Sequence, residues 1–256
     1  MKVPVLLFHD VSPDAAGKAP GITIAPERFR EIIAWLAAHG YTGISARDWL
    51  NAQNRKGTLP EKPIVITFDD AYASITDYAL PILQSHGFRA TVFVVSGLIG
   101  GASEWDAHTW RPLPLMDAEQ IRAWAASGIE FGSHSRNHCD LTTLTESDLL
   151  RETATSQDEL ASIVGSPIMS FAYPYGSHNK AIRQIVSQKY SLAFTVVKGV
   201  VTPDIDPMLC CRIEVLPNYS PLRVGLYLRL ASSARLLRSI RLVRPLLLPR
   251  FRTVQR

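Results

Sequence analysis

The sequence predicts an α/β fold, a distorted and incomplete (β/α) barrel of about seven parallel strands, on three observations. One unit recurs along the chain: an amphipathic helical stretch, a glycine stop, then a β-rich run. The β-rich runs are almost continuously apolar, as in parallel strands covered on both faces. A chain of 256 residues with 46% hydrophobic content can also bury a single large core. Strands alternating with helices of this length imply βα units with right-handed crossovers. An open doubly wound sheet is the runner-up.

The elements follow in order. "VPVLLF" (3–8) is an apolar run of strand length, and "FREIIAWLAAHGYTGIS" then supplies a helix, a stop at His39-Gly40 and a strand from about Tyr41. "KPIVITF" (62–68) is the next strand. "YALPILQSHGFRATVFVV" repeats the unit with His86-Gly87, and "EQIRAWAASGIEFGS" with Ser127-Gly128. A glycine just past a helix end takes the left-handed conformation that terminates it. "PIMSFAY" (167–173) and "SLAFTVV" (191–197) bring the strands before residue 215 to about seven. In either fold the chemistry belongs at the C-terminal ends of the strands.

Charge divides the chain at residue 221. Nine of the 27 basic residues, all arginines, follow that point, with no acidic residue among them. Residues 1–221 therefore hold 18 basic and 23 acidic side chains, a net −5 against +4 for the whole. The expected organisation is a barrel over 1–221 and a basic amphipathic tail over 222–256. No run of 18 uncharged apolar residues is present, which argues against a spanning helix. Three cysteines without CxxC spacing, and a first strand that begins at Val3, lead to the expectation of a cytoplasmic chain.

Strand ends act as a filter for function. They carry His9-Asp10, Asp69-Asp70, His134 with His138, and Pro174-Tyr175-Gly176. Two adjacent carboxylates cannot both ionise cheaply without a shared cation or proton. A metal on one resolves the conflict and leaves the other free as a base; an acidic helix N-terminus beginning near Ser74 is the plainer account. His134 and His138 are four apart, which on one helical turn would put both rings on one side of a single ion. With Asp70 they make two imidazoles and a carboxylate with open positions, a catalytic rather than a structural metal set.

"TFDD", "SHSRNH" and "FAYPYG", in that order over roughly residues 1–215, resemble the motifs of the polysaccharide deacetylase family, carbohydrate esterase family four. The resemblance implies a distorted (β/α) barrel and metal-dependent, usually zinc-dependent, hydrolysis of an N-acetyl group on an amino sugar. It implies Asp70, His134 and His138 as metal ligands and Asp69 as general base. The backbone N–H of Tyr175 would help hold the oxyanion. An amide needs this set: a Lewis acid, a hydroxide, stabilisation of the developing charge, and an acid for the leaving amine.

Two departures stand out. Family members often carry an arginine two residues before the proline of "PY", where this chain has Ala172. Arg212 in "CCRIEV" either reaches in from another strand to replace it or is a surface arginine. Many members also place a histidine on a late strand, and this chain has none after His178. His39 and His86 precede stop glycines, His134 and His138 are assigned to metal, and His108 and His178 fall in loops. His9 alone ends a core strand, and the first strand of a closed barrel neighbours the last. His9 is therefore the expected general acid, as in family members that carry this motif at the N-terminus. Asp10 either holds it as the cation or points away.

Around the site, "GGASEWDAHTWRPLPLM" (100–116) is long for a βα loop. Trp105 and Trp110 either stack on a sugar or cap the barrel. Tyr72, Tyr173 and Tyr175 either extend a saccharide platform or pack. In the tail, Arg235, Arg238, Arg241 and Arg244 recur every three residues opposite Leu236, Leu237, Ile240 and Val243. That pattern suits an anionic membrane surface, or packing on the barrel; no base-reading motif supports nucleic acid. The expected activity is removal of an N-acetyl group from a poly- or oligosaccharide, or from a lipid- or nucleotide-linked sugar. The expected place is the cytoplasm, and the inner membrane face where the tail binds membrane rather than packing on the barrel. A deformylase or amidase on a non-polymeric substrate, and an inactive carbohydrate-binding barrel, are the alternatives.

Overall fold

The computed structural model describes residues 1–13, 19 and 21–232. Seven parallel strands form the barrel: β1 (Val3–Phe8), β2 (Pro63–Phe68), β3 (Thr91–Val94), β4 (Glu130–Ser133), β5 (Ser170–Ala172), β6 (Leu192–Lys198) and β7 (Cys210–Glu214). β1 closes it, pairing with β2 from Val5↔Val65 to Phe8↔Phe68 on one edge and with β7 at Leu6↔Ile213 on the other. Helices lie outside, and three end as the glycine stops require. His39 and His86 occupy C-caps, and Gly40, Gly87 and Gly128 have φ of 77°, 66° and 92°.

Membership of the ring differs in one place from the sequence reading. The strand expected from Tyr41 is only Thr42–Ile44, and it accompanies the first half of β2, at Thr42↔Pro63 to Ile44↔Val65. β3 takes the same edge of β2 over its second half, at Thr67↔Thr91 and Phe68↔Val92. β7, late in the chain, completes the seven. A register shift between Cys210 and Arg212 distorts the β6–β7 seam, the kind of irregularity that re-aims a side chain.

Strand alternation sorts the core into two sets. Leu6, Phe8, Ile64, Ile66, Phe68, Val92 and Phe131 pack outward with the helices. Val5, Val65, Phe93, Ala172 and Phe194 form a second cluster, with Phe93 and Phe194 ring centroids 5.4 Å apart. Both faces being covered explains why the strands read as unbroken apolar runs. β4 shows the alternation most plainly. Gly132 leaves room for Phe93: a Cβ there would lie 2.6 Å from that ring and from Ser170 Oγ. Glu130 and His134 lie two residues either side of it, at opposite ends of the barrel.

The start of the basic stretch is helical, over Pro221–Ser232. Its Val224 and Leu228 are buried, and Gly225 allows close approach to Trp35, where a Cβ would come within 2.4 Å of the indole. Leu222 and Leu226 are exposed. The arginine repeat from Arg235 to Arg244 lies outside the described residues. Among those described, no helix is long and apolar enough to cross a membrane.

Candidate active site

The mouth of the barrel gathers backbone that side chains usually avoid. Six non-glycine residues among those described have positive φ, and five of them are here: Asp70, Ala71, Ser135, His138 and Tyr175. Such strain persists where surrounding contacts over-determine the geometry, and it clusters at functional sites. After β2 the left-handed turn at Asp70 (φ 73°) keeps both carboxylates at the mouth, each almost fully buried.

Asp69 and Asp70 have different surroundings. Arg212, 1% exposed, grips Asp69 with both terminal nitrogens: Nη1 and Nη2 donate to Oδ1 and Oδ2 at 2.7 Å each. The guanidinium is itself fixed, its Nε donating to Thr195 O at 2.9 Å and its plane lying about 6 Å from Phe93 and Phe194. Arg212 is thus buried against Asp69 and is not a surface arginine. Burial pushes the Asp69 carboxyl up, but Arg212, then His134 and His9, outweigh it and hold it below the usual range.

Asp70 faces imidazoles instead. Its Oδ1 lies 3.4 Å from His134 Nε2 and 3.3 Å from His138 Nε2. Burial raises its carboxyl, and His138, His134 and His9 more than reverse this. His134 donates or accepts through Nδ1 at 2.8 Å from Ala172 O; since a carbonyl only accepts, Nδ1 carries the proton and Nε2 presents a lone pair. Burial pushes this imidazole down to about 4, so it is neutral at neutral pH and its approach to Asp70 is no ion pair.

These three residues place one ligand atom each within 4.8 Å of one another, all buried. Asp70 Oδ1 has no hydrogen-bond partner among the described residues. A buried carboxylate oxygen without a donor, beside a neutral imidazole lone pair, is costly unless a cation is shared. The donor set fits a divalent metal with open positions.

The loop after β4 that carries the two histidines is not the helical turn expected from their spacing. Ser135 (φ 64°) and His138 (φ 55°) reverse the chain within five residues, and Ser135 Oγ accepts from His138 N at 3.0 Å. His138 Nδ1 is buried without a hydrogen-bond partner among the described residues, and its ring packs against other rings. Trp105 stacks on it at 4.3 Å and Tyr175 meets it edge-on at 4.6 Å. Trp105 and Trp110 also pack with Tyr72, Leu113 and Leu115. Both tryptophans thus wall the mouth, one directly on a candidate ligand. Tyr72 and Tyr173 are buried and pack; Tyr175 is 50% exposed at the rim.

His9, half-buried at the end of β1, lies close enough to act on the charge of both Asp69 and Asp70. Asp10 does not hold it through a hydrogen bond: its carboxylate accepts from Ser12 Oγ at 2.8 Å and from Ser74 Oγ. Tyr175 (φ 57°) sits in the short turn Pro174–Gly176, and no acceptor among the described residues takes its amide N–H.

A sequence model of the polysaccharide deacetylase family matches residues 56–191, more than half of the chain. The chain belongs to the polysaccharide deacetylase family. YxkH of Bacillus subtilis, which bears the same family name, is 25% identical over 230 residues, covering 89% of this chain and 76% of the relative. The poly-β-1,6-N-acetyl-D-glucosamine N-deacetylase of Staphylococcus epidermidis is 25% identical over 203 residues, 75% of this chain and 68% of the relative. Among solved structures, IcaB from Ammonifex degensii superposes with a TM-score of 0.74 at 25% identity, over 88% of this chain and 96% of that one.

For this deacetylase-family chain, sequence reasoning missed the support behind the loop. Glu152, 6% exposed, accepts from the backbone N–H groups of Arg136 and Asn137 at 2.9 and 2.8 Å. It stands in "LLRETATSQDEL", where its spacing looks like any solvated helix face, so no local signal marked it.

Proposed function

We propose that the chain is a metal-dependent deacetylase that removes the N-acetyl group from an amino sugar of a polysaccharide or oligosaccharide. The observation that carries this is the division of labour between the adjacent carboxylates, one gripped by Arg212 and the other turning to two histidines an Oδ1 that has no hydrogen-bond donor among the described residues. Asp70, His134 and His138 would hold the metal, which we take to be zinc. When bound, it would polarise the amide carbonyl and supply hydroxide at neutral pH.

The chain's own groups do the rest. Asp69 takes the proton of the attacking water on a carboxylate oxygen. The Arg212 fork keeps that carboxylate ionised and fixed in direction, at some loss of basicity. The Tyr175 N–H faces the developing oxyanion. His9, at the rim of the same mouth, protonates the leaving amine. Trp105 and the exposed Tyr175 ring border the acceptor for the sugar. The names of the staphylococcal relatives support N-acetylglucosamine polymers as the substrate class.

Acetate release from β-1,6-linked N-acetylglucosamine oligomers, with and without a chelator, tests this. Release that a chelator abolishes and zinc restores is the expected result. Release unaffected by exhaustive chelation would remove the metal, and no release from any N-acetylated sugar would remove the activity.

The division at 221 and the surface role of the basic stretch belong to the same proposal. Leu222 and Leu226 stand exposed on the helix that begins it, and seven arginines follow Ser232 with no acidic residue. Co-sedimentation with vesicles containing anionic lipid should exceed that with neutral vesicles and fall in high salt. Equal pelleting with both would end the membrane assignment.

A further inference from the structure

We infer that Glu152 is a positioning residue for the metal centre, a buried carboxylate that holds the histidine loop in its ligating shape from behind. The inference rests on the proposed metal reading of Asp70, His134 and His138.

The loop from His134 to His138 must turn sharply, and its amides have no secondary structure to satisfy them. Its left-handed residue at Ser135 makes the next two N–H groups, of Arg136 and Asn137, converge on one point. Successive amides arranged this way form a concavity that binds an anion. The anion here is internal: Oε2 of Glu152 accepts from both amides, at 2.9 and 2.8 Å. Its Oε1 accepts from Asn137 Nδ2 at 2.5 Å. The third amide, of His138, is taken by Ser135 Oγ. The three consecutive N–H groups of Arg136, Asn137 and His138 are thus assigned, two of them to a residue outside the loop.

The helix that carries Glu152 is shaped for the task. Its Arg151–Thr155 segment is a π-helical turn, an irregularity frequent at functional sites. Tyr190 Oη donates to Thr153 O at 2.7 Å within that turn. Glu152, Ser156 and Glu159 then meet the loop together. Ser156 Oγ donates to Ser135 O at 3.1 Å, and Glu159 accepts from Arg136 Nε at 3.0 Å. Outer groups that fix the orientation of metal ligands commonly control metal affinity by about 10–100-fold. Glu152 acts one step further out, through the backbone that sets where both imidazoles stand.

The experiment measures Co2+ binding to the full chain by competition with a chromophoric chelator, together with the Co2+ absorption spectrum and the melting temperature of the metal-free protein. Glu152→Ala should weaken Co2+ binding by about 10–100-fold and alter the spectrum. Glu152→Gln keeps a carbonyl oxygen for the two amides and should stay within a few-fold of the parent. An alanine variant that melts earlier yet binds Co2+ with the parent's affinity and spectrum would overturn the inference, leaving Glu152 a folding residue only. Should the alanine variant not fold, Asn137→Ala decides: unchanged affinity and spectrum overturn the inference, and a weaker, altered site supports it. Binding is read without substrate. A parent chain that binds Co2+ but releases no acetate therefore removes the activity and leaves this inference standing, whereas one that binds no Co2+ removes both.

Discussion

Two buried carboxylates sit at opposite ends of the barrel, and their surroundings drive them in opposite directions. At the mouth, Asp69 is gripped by the buried guanidinium of Arg212 and is held below the usual range despite its burial. At the floor, Glu130 opens β4 beside the first residues of its neighbours. It accepts from Thr91 Oγ1 at 2.7 Å, Ser170 Oγ at 3.1 Å and the Arg47 amide at 2.7 Å. Burial raises it, and these neutral donors, with the more distant charge of Arg47, do not reverse the shift. Burial is common to both. The difference is whether a full opposite charge has been brought in and aimed, which happens only at the end where the strands' C-termini converge.

The comparison can be broken most severely at Asp69. Asp69→Asn keeps size and burial but removes the proposed base, so acetate release should fall by about 10²–10⁴-fold with metal content unchanged. A variant at parental rate would remove Asp69 from the mechanism. Arg212→Leu comes next. It leaves a carboxylate buried without its partner, which costs about 3–5 kcal/mol in denaturant unfolding, and activity should fall with it. An equally stable protein would mean that Asp69 is solvated in another way.

His9→Ala should retain metal and lose about 10²-fold in turnover, toward the lower end for an acid because the half-buried position lets water protonate the amine in part. Unchanged turnover would return His9 to an ordinary strand end.

Glu130→Gln is the smallest and tests the floor. A carboxyl whose pKa is raised by folding contributes stability that is fully present below its unfolded pKa and is lost as pH rises through the folded value. Removing it should therefore cost most in acid and least at neutral pH, where the variant should lie within about 1 kcal/mol of the parent. Melting temperatures measured from pH 4 to 8 check the sign; a difference that grows toward neutral pH would contradict it.

Much of the barrel was legible because its strands are covered on both faces and its helices end in glycine stops that only a left-handed residue satisfies. The candidate ligand set was legible as a group, since Asp70, His134 and His138 each follow a strand end and the fold brings them together. The geometry behind the set was not. Helical spacing suggested a turn between His134 and His138, but Ser135 and His138 take positive φ, a choice that side-chain identity barely signals. Trp105 could have been a sugar platform or a cap, and only packing shows it lying on His138.

The sequence by itself determined which side chains stand at strand ends, because alternation and glycine stops are local and each residue carries its own preference. Only the tertiary structure decided their partners. Arg212 lies 143 residues from Asp69 and Glu152 lies 15 from Asn137, and nothing local distinguishes either from a solvated charge. Barrel closure joins the first strand to the last and so delivers the guanidinium to Asp69. A long-range pair of this kind exists only once loop entropy has been overcome by packing, and so it leaves no periodic trace in the chain.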